Sequence, residues 1–375
     1  MDLGSFYTPE HLVRVCYDLI RNNIPEYHGY VLVDSSCGYG SFLREREFQR
    51  KIGADVDAEA LRKARALCGE GTKLVETNSL SGVKRDVFGL QRQDKLIMVG
   101  NPPYNDTTSI IRQGIKDKTV SKDVDADIRT RDLGMSFLLS YSKLEADYVC
   151  VLHPLSYLIK PANFRLLRTF MDRYQLVDGL IVSSHEFSDT SKAMAFPILI
   201  GLYQRGERGM SYENVRKYRF RVRNGGEFCL ADFDTIANYI QKYPNKKSLR
   251  AKDRPVAKFW TMRDINALKR NRTFITSDTY NTVYVLPDKL AYYCYVDVFK
   301  QYAGKLPYFV GNCDVLIDNE DFLKIKDSFV YWSVTTNAIL QKTMKMSEVV
   351  GAKQRIDEYF KKLIKKVGGE YVKTA

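Results

Sequence analysis

The chain is short of the residues that announce the commoner chemistries. Its seven cysteines (Cys16, Cys37, Cys68, Cys150, Cys229, Cys294 and Cys313) are odd in number, scattered, and nowhere spaced as C-x-x-C. They read as reduced thiols of a cytoplasmic protein rather than a disulfide framework. The four histidines, His11, His28, His153 and His185, form no metal-spaced cluster, so no metal site is expected. No internal repeat and no low-complexity tract is visible. The start, Met1-Asp2-Leu3-Gly4-Ser5, lacks the basic and apolar regions of a signal peptide. The longest apolar stretch, around Ala195–Ile200, is far too short to span a bilayer, and no membrane partner is expected.

What is present suits a globular protein of two domains. Of 375 residues, 45% are hydrophobic and 12% aromatic, which suffices for a sizeable core. The charge is lopsided. Residues 206–375 hold 31 Lys and Arg against 19 Asp and Glu, whereas residues 1–205 hold 27 against 26. Nearly all of the +13 excess therefore lies in the C-terminal part, which suggests a polyanion-binding domain at 206–375 joined to a near-neutral domain at 1–205. General solubility is the plainer reading of the same excess.

One stretch organises the N-terminal part: Val99-Gly100-Asn101-Pro102-Pro103-Tyr104. It follows the apolar run Lys95–Val99 and so reads as the loop at the carboxyl end of a strand, where ligands bind in open α/β sheets. Two prolines fix the backbone and remove two donors. Backbone carbonyls and the Asn101 side chain remain as acceptors, and Tyr104 offers a flat face. That combination suits a planar group carrying an NH2.

Other runs supply a frame for this loop. Tyr30–Asp34 reads as a buried strand running into Ser35-Ser36-Cys37-Gly38-Tyr39-Gly40, whose glycines permit a tight turn and close approach of a ligand. The loop is shorter than G-x-G-x-x-G and an acid precedes it. A carboxylate there disfavours a pyrophosphate, hence NAD or ATP, and favours the amino-acid end of S-adenosylmethionine. Lys51–Asp57 is a second strand, with Asp55 near its end, about 20 residues beyond the glycine loop, where ribose-binding acids occur. Leu74–Leu80, Lys95–Val99, Tyr148–Pro154, Leu180–Val182 and Phe196–Tyr203 read as further strands, with helices at 58–68 and from Met135. Strand–helix alternation of this kind predicts a doubly wound, Rossmann-like parallel sheet, followed by a smaller basic α+β domain. Before the first strand, Thr8-Pro9-Glu10 reads as a helix start with Thr8 as N-cap. Beyond residue 205, Arg216–Arg223 alternates basic and apolar residues as a half-buried strand does, and Ser347–Lys366 reads as an amphipathic helix with a basic face. Phe187, in the loop Ser183–Asp189, reads first as a packing residue.

Taken together, Phe6-Tyr7-Thr8-Pro9, Asp34-x-x-Cys37-Gly38-x-Gly40, Asp55 and Asn101-Pro102-Pro103-Tyr104, in this order and ahead of a basic C-terminal region, resemble the γ-class S-adenosylmethionine-dependent N6-adenine DNA methyltransferases of restriction–modification systems. The resemblance covers roughly residues 5–205. It implies that Tyr7, Thr8 and Pro9 line the methionine end of the cofactor, that Asp34, Cys37, Gly38 and Gly40 form the loop around it, and that Asp55 binds the ribose hydroxyls. Asn78 falls where the family carries an acid contacting the adenine amine, and Ser35 and Ser36 replace the commoner Pro-Ala. Asn101 and the Pro102 carbonyl would accept hydrogen bonds from the target amine. Tyr104 would stack on the flipped base, and Phe187 falls where the family places a second stacking aromatic. The implied partners are double-stranded DNA and a cognate restriction endonuclease, for a chain expected to act as a monomer.

The chemistry follows. The target amine is conjugated and buried in the duplex, so the base must leave the stack, at a cost of a few kcal/mol. Transfer would then be direct, by positioning and electrostatics, with no covalent intermediate and no metal. A cytosine-C5 enzyme needs a cysteine after proline, and no Pro-Cys dipeptide occurs. Alternatives are an RNA (ribosomal) base N-methyltransferase, a glutamine-N5 protein methyltransferase, which shares the N-P-P-Y loop, and a non-catalytic DNA-binding subunit.

Overall fold

The computed structural model describes residues 8–69, 71–104, 123–187, 194–223 and 225–368. Tyr7 lies outside the described residues, as does most of the polar segment after Tyr104. The chain divides into two compact units, Met1–Glu227 and Phe228–Ala375.

The first unit is built on a mostly parallel sheet. Its strands are β1 (Val31–Asp34), β2 (Arg50–Asp55), β3 (Thr72–Glu76), β4 (Leu96–Gly100), β5 (Tyr148–Pro154), β6 (Tyr174–Ser183), β7 (Pro197–Arg205), β8 (Phe220–Val222) and β9 (Glu227–Phe228). They lie in the order β3-β2-β1-β4-β5-β7-β6-β8-β9. β1 pairs in parallel with both β2 and β4, and β4 with β5, while β7 runs antiparallel between β5 and β6. The order reverses at β1, where chains of this class leave a crevice at the carboxyl ends of the strands. Every residue of β1 and β4 is buried, as expected of central parallel strands covered on both faces.

Helix α1 (Glu10–Asn23) covers one face with Leu12, Val13, Cys16, Tyr17, Leu19 and Ile20, packed into a cluster with Cys150, Leu152, Ile198 and Ile200. Its start departs from expectation. Pro9, not Thr8, occupies the N-cap position and no side chain caps the helix. The Pro9 carbonyl instead accepts from the amides of Leu12 and Val13 at 2.9 and 3.2 Å. α2 (Ala58–Leu67) follows β2 and is capped by Asp57, whose side chain accepts from the amides of Glu59 and Ala60. α3 (Leu133–Lys143) precedes β5 and is capped by Asp132.

The charge change at residue 205 does not coincide with the division between the units. Phe220–Val222 pairs in parallel with β6 and so belongs to the first unit's sheet. Charge is a surface property, whereas the unit boundary follows backbone pairing. The alternating segment at 216–223 is also only partly a strand. Its first two residues close a short helix, Tyr212–Lys217, started by a capping box between Ser211 and Asn214. Only Phe220, Arg221 and Val222 follow the buried–exposed–buried alternation.

The second unit mixes short strands and helices. β10 (Asp234–Thr235) pairs with β14 (Leu316–Ile317), and β11 (Ala257–Trp260) lies between β12 (Phe274–Ile275) and β13 (Thr282–Val285) in an antiparallel sheet. Its helices α4 (Leu290–Tyr302), α5 (Lys326–Thr336) and α6 (Ala352–Lys366) meet through aromatic rings, with Tyr295 5.1 Å from Phe329 and 6.0 Å from Phe360. The C-terminal helix starts at Ala352, five residues later than expected from Ser347, and buries Ile356, Tyr359, Phe360, Leu363 and Ile364 against the body of this unit. Among the described residues no helix is long and apolar enough to cross a membrane. All seven cysteines are buried and outside any disulfide.

Candidate functional site at the strand tips

The site begins where β1 and β4 end side by side. Val33 pairs with Met98, so Asp34 and Gly100 come next to each other on the same rim of the sheet. Gly100 adopts φ +145°, and a Cβ built there would lie 2.9 Å from Asp34 Oδ1. Only glycine meets both demands. Asp34 and the Asn101 loop are therefore neighbours, with the Asp34 carboxyl set against the backbone of β4.

Asp34 is buried and accepts one amide, that of Ser36, at 3.1 Å. Burial pushes its pKa up to about 8, because a lone carboxylate loses its hydration there. Such a group rests protonated, or it meets a cation. Asn101 is held from the other side. Its Nδ2 donates to Thr8 Oγ1 at 3.2 Å, which is where the hydroxyl expected to cap α1 is used. Its Oδ1 is buried and has no hydrogen-bond partner among the described residues. Pro102 is buried and Pro103 half-buried. Tyr104 is half-buried beside α3, where a Cβ on Gly134 would come within 3.2 Å of the Tyr104 Cβ. Burial holds the Tyr104 hydroxyl above its ordinary pKa, so the phenol stays protonated.

The glycine loop follows β1 and is tied to β2. The Cys37 amide donates to the Ala54 carbonyl at 2.9 Å, and the Gly38 amide to Asp55 Oδ2 at 2.8 Å. Asp55 Oδ1 accepts from the amide of Asp57 at 3.0 Å. Asp55 thus braces the loop with one oxygen and the start of α2 with the other. Gly40 adopts φ +75°, and a side chain there would overlap Cys68 on the far side of the loop. Gly38 adopts φ +49°, and a Cβ built on it meets nothing within 4 Å, so this glycine is demanded by backbone conformation and leaves its side open. Burial raises the Cys37 thiol far above its usual range, which removes it as a nucleophile.

Asn78 lies two residues beyond β3. Its Nδ2 donates to the Asp123 carbonyl at 2.9 Å and its Oδ1 accepts from the Leu80 amide at 3.0 Å, so one end of the amide fastens its own loop and the other ties that loop to the segment at Asp123. Phe187 is 2% exposed and belongs to the apolar cluster beneath α1, the packing position first read for it. Asp34, Gly38, Gly100, Asn101, Thr8 and Asp55 are linked through these bonds and close approaches. Phe187 enters none of them.

Three buried side-chain oxygens without a partner lie just beyond three parallel strands: Ser36 Oγ after β1, Ser79 Oγ after β3 and Asn101 Oδ1 after β4. Buried polar groups are normally paired, and leaving one unpaired costs on the order of 1–3 kcal/mol. With the Asp34 carboxyl they lie at the carboxyl ends of parallel strands, where open α/β sheets bind ligands. Sequence reading missed the residues that position the loop. The Thr8–Asn101 bond joins residues 93 apart in the chain. Asp132 accepts from the Tyr157 hydroxyl and caps Gly134 at 3.0 Å, holding α3 behind Tyr104. Tyr157 in turn stacks on His153 at 5.3 Å. The Asp132-Leu133-Gly134 helix start was the one local signal available. Among the described residues, no group of three or more His, Cys, Asp or Glu is placed to hold a metal.

No protein-family model matches this chain, and no curated protein matches it. Solved structures do. A putative RNA methyltransferase from Pyrococcus horikoshii is 16% identical over 54% of this chain and 87% of that one, with a TM-score of 0.37. The methyltransferase subunit of a type I restriction–modification system from Streptococcus thermophilus is 16% identical over 55% of this chain and 46% of that one, with a TM-score of 0.39. A putative class I S-adenosylmethionine-dependent methyltransferase from Listeria monocytogenes is 12% identical over 59% and 66% of the two chains, with a TM-score of 0.43. The chain thus spans less than two thirds of the length of two of these three.

Proposed function

We propose that this protein is an S-adenosylmethionine-dependent methyltransferase that modifies an exocyclic amine, the N6 of adenine in double-stranded DNA. The observation that carries the reading is Asn101 Oδ1: a buried acceptor with no partner, oriented by Thr8, one strand away from a buried carboxyl. An acceptor so placed holds an NH2 group and draws on its hydrogens, which raises the electron density of the nitrogen. When bound, S-adenosylmethionine supplies a methyl group activated by its sulfonium. Asp34, ionised against an ammonium, would hold the methionine end together with Thr8, Pro9 and the Cys37–Gly40 loop. Asp55 keeps lone pairs free for ribose hydroxyls while bracing that loop. Tyr104, backed by α3, would support the ring of the base. Cys37 takes no part as a nucleophile.

The second unit supplies the reason to favour nucleic acid. Residues 228–375 carry 25 Lys and Arg against 16 Asp and Glu. A polyanion binds such a surface with an affinity that falls as salt rises. In this reading the second unit recognises the target and a restriction endonuclease is the natural companion. The test is transfer of a labelled methyl group from S-adenosylmethionine to duplex DNA, to RNA and to protein. Label on N6 of adenine in duplex DNA is the expected result. Label on RNA or on a glutamine amide alone would overturn the choice of substrate, and label on none would overturn the activity.

A further inference from the structure

The second unit presents a tyrosine that its own packing does not use. Tyr280 is 83% exposed, more than any other large apolar or aromatic side chain described. A single exposed ring means little. This one, however, sits at the tip of a turn pinned by three hydrogen bonds. The Thr279 amide donates to Thr282 Oγ1 at 2.7 Å, the Thr282 amide to the Thr279 carbonyl at 3.1 Å, and the Asn281 amide to Thr279 Oγ1 at 3.1 Å. The ring is therefore held out on a firm backbone at the start of β13, not on a loose loop.

Cations collect around the base of that turn. Asp278, two residues before the ring, takes Lys258 Nζ at 2.6 Å and the Tyr284 hydroxyl at 2.7 Å, with Lys246 Nζ at 4.0 Å. The Lys246–Ser248 turn is fixed to the same strand, because the Asn245 side chain bonds both the amide and the carbonyl of Tyr284, at 2.8 and 3.0 Å. Lys247, the next residue, has no carboxylate within ion-pair distance among the described residues. Two lysines thus share one carboxylate and a third has none within ion-pair distance, all three beside one projecting ring and anchored to β13. Aromatic faces stack on bases of any identity, and lysines at such a spacing suit phosphates.

We infer that the Thr279–Thr282 turn is the element of the second unit that contacts the substrate duplex, with the Tyr280 ring wedged against a base at a step that opens in the bound duplex and Lys246, Lys247 and Lys258 on the adjoining phosphates. The inference rests on the nucleic-acid reading of the first unit for its partner, but its test reads binding and not methyl transfer.

The full chain is titrated against a fluorescent DNA duplex at several salt concentrations, with single-stranded RNA of the same sequence in parallel. Tyr280→Ala is expected to weaken duplex binding by roughly 5- to 100-fold, the range of one lost base stack. Tyr280→Phe should stay within about twofold, because the ring and not the hydroxyl does the stacking. Lys247→Ala should lower the slope of log affinity against log salt by about one. The melting temperature of all three should match that of the unaltered protein. Tyr280→Ala binding as tightly as the unaltered chain would overturn the inference, as would an equal loss in Tyr280→Phe. Tighter, Tyr280-dependent binding to RNA would overturn the commitment to duplex DNA. A chain that binds duplex through Tyr280 yet transfers no methyl to any nucleic acid would sustain the inference and overturn the proposed activity alone.

Discussion

Two buried aspartates, one in each unit, are treated in opposite ways. Asp297, on α4, accepts from Ser333 Oγ at 2.7 Å, from Asn337 Nδ2 at 2.9 Å and from the Thr273 hydroxyl. Those donors come from α5, the residue after it, and the segment before β12, so one carboxylate ties three pieces of chain together. Asp34 accepts a single amide and is pushed up to about 8. At the ends of β1, β3 and β4, Ser36 Oγ, Ser79 Oγ and Asn101 Oδ1 have no partner among the described residues. A saturated buried carboxylate stabilises the fold it sits in. An unsaturated one costs stability and is tolerated where something else uses it.

The comparison breaks most sharply at Asp297. Asp297→Leu strands two buried hydroxyls and takes an acceptor from the half-buried Asn337 amide, and should cost about 3–5 kcal/mol. Both tryptophans, Trp260 and Trp332, lie in the second unit, so urea unfolding followed by tryptophan fluorescence reports that unit. An unchanged midpoint would show that Asp297 is not a tie. Asn101→Ala is the counterpart in the first unit. It should lower methyl transfer by about 10²–10³-fold, the effect of one well-placed polar group, and leave cofactor affinity within a few fold. Turnover near that of the unaltered enzyme would remove Asn101 from its assigned role.

Asp34 makes a pH-dependent claim. Its folded pKa lies above the ordinary value of 3.8, so between about pH 4 and pH 8 the folded state keeps a proton that the unfolded chain has lost. Stability therefore falls as pH rises through that window and levels off above it, with a slope approaching about 1.4 kcal/mol per pH unit. Asp34→Asn should flatten the dependence in urea unfolding followed by circular dichroism, and the same slope in the variant would sink the assignment. Cofactor binding by the unaltered protein should release a proton below pH 8, which calorimetry in buffers of different ionisation enthalpy would detect. The smallest effects come from a pair of serines. Ser333→Ala removes a hydroxyl bonded to Asp297 and should cost about 1–3 kcal/mol, whereas Ser79→Ala removes a buried hydroxyl with no partner among the described residues and should raise stability, by up to about 1–3 kcal/mol. Equal losses would erase the contrast between the two units.

The parallel core and its loops were largely legible because each leaves a local trace. Buried strands read as apolar runs, and Cys37–Gly40 and Asn101–Tyr104 follow two of them. The reading failed where two outcomes share one local pattern. Thr8 before Pro9-Glu10 has the look of an N-cap, but its hydroxyl is used by Asn101, 93 residues on. Arg216–Arg223 alternates, yet it is divided between a helix and a three-residue strand. Phe187 has the same sequence neighbours whether it packs or stacks, and its 2% exposure in the apolar cluster is something only the tertiary structure supplies.

Sequence alone determined the alternation of strand and helix, the glycines that the turns need, the acceptor-rich loop after β4 and the basic bias of the C-terminal part. These depend on the order of residues along the chain, through periodicity and backbone freedom. Tertiary structure decided which polar groups are satisfied. It set Asp34 against Gly100, gave Thr8 to Asn101, left Asn101 Oδ1 unpaired and bound Asp297 three times. Whether a buried group has a partner depends on what distant segments bring to it, and no local pattern encodes that distance.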